Sequence, residues 1–175
     1  MADGHAAALT LTKVTKLFGG LTAVNAVTLS VARGERRAII GPNGAGKTTL
    51  FSLMSGEALP DTGEIRLLGH DVTRMAPHRR AALGLARTYQ ITNLFPRLGA
   101  LDNCVLAAQA LSPVKLHLHR DLARYPVVLE RARRVLDAVG LADKAGAVVR
   151  DLSHGEQRQL EIALAIAGEP AVLLL

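Results

Sequence analysis

Nine residues in the first third of the chain, "GPNGAGKTT" from Gly41 to Thr49, constrain its fold more than any other stretch. Gly41, Gly46, Lys47 and Thr48 meet the spacing G-x-x-x-x-G-K-[ST], which works only where a strand runs into a glycine-rich loop and the loop opens a helix. Ala38 to Ile40 supply a short apolar, β-branched run ahead of the loop. Thr48 to Met54 supply helix formers that stop before Gly56, a residue suited to a C-terminal cap. The pattern therefore predicts strand, loop and helix in that order.

The spacing has a mechanical reason. Glycines let the backbone curl around phosphate oxygens with no Cβ in the way, and successive N–H groups then point inward at the open helix N-terminus. Gly41, Pro42, Asn43, Gly44, Ala45 and Gly46 would form that cradle, and Thr49 completes the binding stretch. Lys47 brings a mobile ammonium to β and γ phosphates, and the Thr48 hydroxyl can face Mg²⁺. Small-molecule kinases, GTPases and motor ATPases all use such a loop, so the rest of the chain must decide among them.

Composition narrows the choice. With 175 residues, 49% hydrophobic and 21% charged, the chain suits one globular core and is too short for two full domains. The opening "MADGHAAALTLTK" has no basic start followed by an apolar run, and no stretch of roughly 18 apolar residues occurs, so neither a secretory signal nor a membrane span is expected. A single cysteine, Cys104, excludes an internal disulfide and points to a reducing compartment. Its setting in "CVLAAQAL" reads as a buried, inert thiol.

The net charge of +6 suits anionic ligands. Aromatic residues make up only 3% of the chain, so "HRR" at 78–80 and "RARR" at 131–134 read as solvated helix faces rather than a nucleic-acid surface. His117 and His119 have no Cys, Asp or Glu cluster beside them and are not read as a metal site.

The second informative stretch is "DLSHGEQRQLEIALAIAGEPAVLLL", residues 151–175. Leu152, Ser153 and Gly155 stand ahead of apolar residues at Leu160, Ile162, Ala163 and Ile166, with Ser153 as a good N-cap. Ala171 to Leu175 read as a strand buried in a parallel sheet, of the kind whose C-terminal edge holds ligands.

At these residues the sequence resembles the ATP-binding subunit of ABC transporters. The family signature is Leu-Ser-Gly-Gly-Gln, and "LSHGEQ" is similar to the variant of the branched-chain amino acid importers of the LivG type. "LFGGLTAVNAVTLSVARGE" at 17–35 resembles the family's opening, "ALPDTGEIRLLGHDVT" at 58–73 its hairpin region, and "ARTYQITNLFPRLGALDN" at 86–103 its Q-loop.

The resemblance implies an α/β fold: a P-loop NTPase (RecA-like) core with an N-terminal antiparallel β region and an inserted helical subdomain. Residues 1–90 would form the nucleotide-binding core, 91–158 the helical signature subdomain, and 159–175 the return to the core, ending in the Walker B strand. It implies binding of ATP and Mg²⁺. Phe18 would stack on adenine, Lys47 and Gln90 would act in catalysis, and Thr48 and Gln90 would face the metal. Ser153, His154, Gly155 and Glu156 would meet the γ-phosphate held by a second ATP-binding subunit in a head-to-tail dimer.

Integral membrane permease subunits would dock on the helical segment at the inner face of the cell membrane, and a substrate-binding protein would be an indirect partner. No nucleic-acid partner is expected. His154 replaces the first signature glycine, Glu156 stands where the family often has Gln, and Leu164 where it usually has Arg. In the family an Asp and a Glu directly follow the strand matching 171–175, and a switch histidine comes later. The sequence stops before them, and it is read as a fragment of an importer's ATP-binding subunit, which would bind MgATP in the head-to-tail dimer to energise uptake of branched-chain amino acids or related compounds. The alternative expectation is a truncated, hydrolysis-deficient nucleotide-binding or partner-docking module.

Overall fold

A computed structural model of the chain describes residues 7–88, 94–110 and 126–175. It divides into two compact units, one running up to Leu85 and taking in Leu174, the other comprising Ala86–Leu173 and Leu175.

The first unit is built on an antiparallel sheet in the order β2-β1-β3-β4, with β1 Ala7–Phe18, β2 Leu21–Ala32, β3 Thr62–Leu67 and β4 His70–Asp71. Alternation explains its buried face: Ile65 and Leu67, two residues apart on β3, are buried, as are Leu9 and Leu11 on β1. Such a side chain contributes about 1.5–3 kcal/mol when removed from water. β1 and β2 are joined by Gly19 and Gly20 and pair from Ala7↔Ala32 to Phe18↔Leu21.

The β1–β2 ladder is irregular between Leu11 and Lys16. Lys13 and Ala26 take positive φ there, 49° and 47°. Threonine hydroxyls recover the displaced donors. The Lys13 N–H donates to Thr28 Oγ1 at 3.1 Å and the Ala26 N–H to Thr15 Oγ1 at 3.0 Å.

Helix α1, Lys47–Ser55, buries Leu50, Leu53 and Met54. It ends as the sequence predicts, at Gly56 with φ 86°, whose N–H bonds the Ser52 and Leu53 carbonyls. Helix α2, Pro77–Ala82, begins on a proline whose missing N–H costs nothing at that position.

The second unit packs α3, Ala100–Ala110, α4, Pro126–Ala138, and α5, His154–Ile166. Its core takes Ala100, Cys104 and Ala108 from α3, Val128, Ala132 and Leu136 from α4, and Leu160 and Ala163 from α5. Spacings of four residues on α3 and α4 and three on α5 keep each set on one face, and the alanines allow close approach. Leu129 and Val139, partly buried, pack against the margin of this core. Burial pushes the Cys104 thiol up to about 12, in keeping with an inert thiol. Asn103, also buried, accepts from the Phe95 N–H at 2.8 Å and donates to the Gly99 carbonyl at 2.9 Å, fixing the chain that enters α3.

Strands β5, Leu85–Arg87, and β6, Val172–Leu174, pair with each other as a two-stranded sheet. Two sequence expectations are corrected here. Residues 38–40 are not a strand, and Ile40 is 91% exposed. The predicted 171–175 strand is three residues long and paired only with β5 among the described residues, with Leu175 exposed. The reason is common to both. A strand exists only where a neighbour takes its N–H and C=O groups, and hydrophobic content alone supplies none.

Candidate functional site

The loop at 41–46 sits at the N-terminus of α1, as the spacing predicts. Gly46 is the N-cap residue at φ 80°, and no side chain caps the helix. No acidic residue stands in the first turn, so its free N–H groups and positive dipole end face outward. Gly44 also takes positive φ, 83°. A turn bond from the Ala45 N–H to the Pro42 carbonyl at 3.2 Å closes the loop.

Lys47 stitches the loop to its own helix. Its ammonium donates to the carbonyls of Gly41 at 2.6 Å and Pro42 at 2.8 Å. The amine thus already lies across the concave side, where an anion would meet it. Gly41, Pro42, Asn43, Gly44, Ala45 and Thr48 are exposed, and Gly46, Lys47 and Thr49 half-buried. This arrangement fits a polyphosphate: an uncapped helix N-terminus and a cation stand together, with no acidic residue in the first turn. Among the described residues no group of three or more His, Cys, Asp or Glu gathers to hold a metal by itself. A Mg²⁺ ion fits only as a companion of phosphate oxygens at the Thr48 hydroxyl, the manner in which this ion is usually bound.

The hairpin tip adjoins the loop. A Cβ built on Gly46 would lie 2.1 Å from the Ala23 carbonyl oxygen, so the start of β2 presses directly on the helix N-cap. Phe18 closes β1 at the same tip, opposite Leu21, and is 52% exposed. It is not a core residue.

The far end of α1 is held by a residue that the sequence reading treats as solvated. Arg80 is completely buried. Its Nη1 donates to the carbonyls of Leu53 at 2.7 Å and Met54 at 2.9 Å, its Nε to Met75 at 2.9 Å and its Nη2 to Thr73 at 3.2 Å. Burial pushes its pKa down, and the nearby Asp71 opposes that. The correction has a plain cause: the last carbonyls of α1 lack intrahelical donors and carry the negative dipole end, which a guanidinium satisfies well. Nothing in "HRR" distinguishes Arg80 from Arg79, which is exposed.

In the second unit, Ser153 caps α5 as predicted. Its Oγ accepts from the Glu156 N–H at 3.3 Å, while its own N–H donates to Glu156 Oε2 at 2.7 Å, a complete capping box. The Ser153 hydroxyl also donates to that carboxylate at 2.8 Å. His154 and Gly155 are exposed on the first turn. Gln157 donates to the carbonyls of Leu152 and Val149 and anchors the approach to the helix.

The Ser153 N–H, then the Ser153 hydroxyl, with a further contribution from Lys144, hold the Glu156 carboxyl below its ordinary value of 4.5. A lowered carboxylate stabilises the fold above its unfolded-state pKa, and that contribution is lost as pH falls through the folded-state value. Glu156→Gln should therefore abolish the part of the acid sensitivity of α5 that sets in below about pH 4.5. An amide oxygen still accepts from Ser153, so the helix should persist. Urea unfolding of both proteins between pH 7 and 3 measures this, and an unchanged acid limb would reject it.

Gln90, along with Tyr89, His117 and His119, lies outside the described residues. Among the described residues no helix is long and apolar enough to cross a membrane.

The family model described as ABC transporter matches residues 24–175. The sulfate/thiosulfate import ATP-binding protein CysA 2 of Chromobacterium violaceum is 40% identical over 90% of this chain and 39% of its own length. The high-affinity branched-chain amino acid transport ATP-binding protein BraF of Pseudomonas aeruginosa is 35% identical over 95% of this chain and 68% of its own. A crystallised ATP-binding cassette of an ABC transporter superposes with a TM-score of 0.81 at 26% identity, over 95% of this chain and 67% of that one. The chain thus spans between two fifths and about two thirds of the length of these relatives.

Proposed function

The chain belongs to the ABC transporter family of ATP-binding proteins, and from this premise we propose that it binds MgATP at the 41–49 loop as the nucleotide-binding part of an importer. One observation carries the reading: the Lys47 ammonium lies across an uncapped, acid-free helix N-terminus. When bound, Mg²⁺ would neutralise phosphate charge beside the Thr48 hydroxyl. Lys47 would exchange its loop carbonyls for β and γ phosphate oxygens, Gly44 and Gly46 would offer backbone N–H groups, and the Ala45 N–H would have to leave the Pro42 carbonyl to join them. Phe18 would take the adenine, and Gln90 would face the metal and the attacking water.

In the same reading, residues 1–90 form the nucleotide core, 91–158 the helical part that meets integral membrane permease subunits, and 159–175 the return to the core. Ser153 and Gly155, with His154 and Glu156 beside them, would address the γ-phosphate of a second subunit, placing the protein at the inner face of the membrane. Branched-chain amino acids are the proposed cargo. The similarity to BraF and the "LSHGEQ" variant support that choice, although the similarity to CysA 2 shows that importers of other cargo share the same scaffold.

Lys47→Ala should weaken MgATP binding tenfold to hundredfold, the range expected for a charge-assisted contact of about 1.5–3 kcal/mol. Equilibrium titration of both proteins with MgATP tests it. Equal affinity in the two would end the proposal.

A further inference from the structure

The tip of the β1–β2 hairpin carries a side-chain cluster that the phosphate loop does not use. The Lys16 ammonium lies over the Phe18 ring, 5.4 Å from its centroid. It does not swing freely. Asp61 Oδ1 holds it at 3.2 Å, and the Lys16 side chain is only 17% exposed.

Asp61 is itself fixed from two directions. Its Oδ2 accepts from the Leu17 N–H at 2.6 Å, and its own N–H donates to the Thr15 carbonyl at 2.9 Å. The Leu17 N–H, and after it Lys16, hold the Asp61 carboxyl below its ordinary value, so it stays charged at neutral pH. One face of an otherwise exposed aromatic ring is therefore covered by a pinned cation, while the ring keeps half of its surface open.

The position of this ring gives the cluster a purpose. Phe18 pairs with Leu21, and two residues along the same strand the Ala23 carbonyl touches the N-cap of α1. That separation is about 7 Å along a strand, within the reach of a nucleotide whose phosphates lie at the helix N-terminus.

We propose that Lys16, pinned by Asp61, backs the Phe18 ring and makes it a one-sided stacking platform for the base of the bound nucleotide. This rests on the nucleotide reading above. The ammonium covers one face, so a base can stack only on the other. It also draws π-electron density toward itself, which favours an electron-rich purine on the open side. Asp61 serves as a positioning residue: it holds the cation over the ring and keeps that charge from turning toward the phosphates.

The test compares two ligands, MgATP and magnesium tripolyphosphate, which has the phosphates without the base. Lys16→Met should lose roughly three- to fivefold in MgATP affinity, the range of a partly exposed cation–π contact, and keep its tripolyphosphate affinity within twofold. Lys16→Arg, which preserves both the cation and its carboxylate partner, should bind MgATP within twofold of the unaltered chain. If the methionine variant does not melt cooperatively, Lys16→Gln replaces it in the same comparison.

Equal losses for the two ligands would mean that Lys16 acts on phosphates. No loss for either would mean that it does not act in binding. Each result overturns the platform while leaving the nucleotide reading intact. Failure of the unaltered chain to bind either ligand would overturn both.

Discussion

Gly46→Ala is expected to destabilise the first unit by about 3–5 kcal/mol, at the upper end of what one substitution does. Two costs combine. An L-residue held at the φ of 80° seen here is strained by roughly 1–2 kcal/mol. The added Cβ would then stand 2.1 Å from the Ala23 carbonyl oxygen, a distance that no neighbouring side chain can relieve because the obstacle is backbone.

Relief requires moving either the start of β2 or the first turn of α1, and either motion would open the phosphate cradle. Gly44→Ala provides the control. Gly44 has nearly the same φ, 83°, but nothing lies within 4 Å of the built Cβ, so only the conformational cost remains. Urea denaturation of the two variants should separate them by about 2 kcal/mol or more. Equal destabilisation would show that the contact with Ala23 does not constrain this glycine.

Arg80→Met should cost about 3 kcal/mol. Methionine refills much of the apolar volume of the arginine stem but supplies no donor, so the carbonyls of Met54, Met75 and Thr73 each lose one. The Leu53 carbonyl retains a bond from the Gly56 N–H at 3.3 Å. Lysine keeps the charge but cannot fork across four acceptors, so Arg80→Lys should recover no more than half of the loss. Because Arg80 grips the C-terminal end of the helix whose N-terminal end carries Lys47, the loss should also reduce MgATP affinity. Thermal unfolding with and without MgATP reads both effects. If the methionine variant melts like the parent, the grip on α1 has no energetic weight.

These two residues also mark where reading the sequence succeeds and where it stops. Gly46 was identifiable because its role is set within a few positions: loop, glycine, lysine and helix follow each other along the chain. The same holds for Ser153 as the N-cap of α5, whereas the capping box it completes with Glu156 comes only from the structure and the 58–73 hairpin only through the family resemblance. Arg80 acts on a carbonyl 27 positions away, and Asp61 on an N–H 44 positions away. The Pro60-Asp61 pair signals only a turn, and Arg79 and Arg80 look alike until α2 is seen to turn one of them inward.

The strand predicted at 38–40 fails for a related reason. Apolar content measures the tendency to leave water, whereas a strand also needs a partner at the right edge. The exposed Ile40 shows the difference between the two.

The irregular ladder between β1 and β2 bears on the behaviour of this protein in concentrated solution. β2 lies at the edge of its sheet and is twelve residues long, the sort of margin on which molecules of the same protein can add to one another. At Ala26 that margin is interrupted. The backbone turns to positive φ and its N–H points inward to the Thr15 hydroxyl, so it is not offered to an incoming chain. Two short runs separated by a kink make a poorer template than one flat run of twelve. Thr15→Val would leave the shape of the side chain nearly unchanged while releasing the Ala26 N–H at the edge, and it is expected to raise self-association at high concentration, read by light scattering.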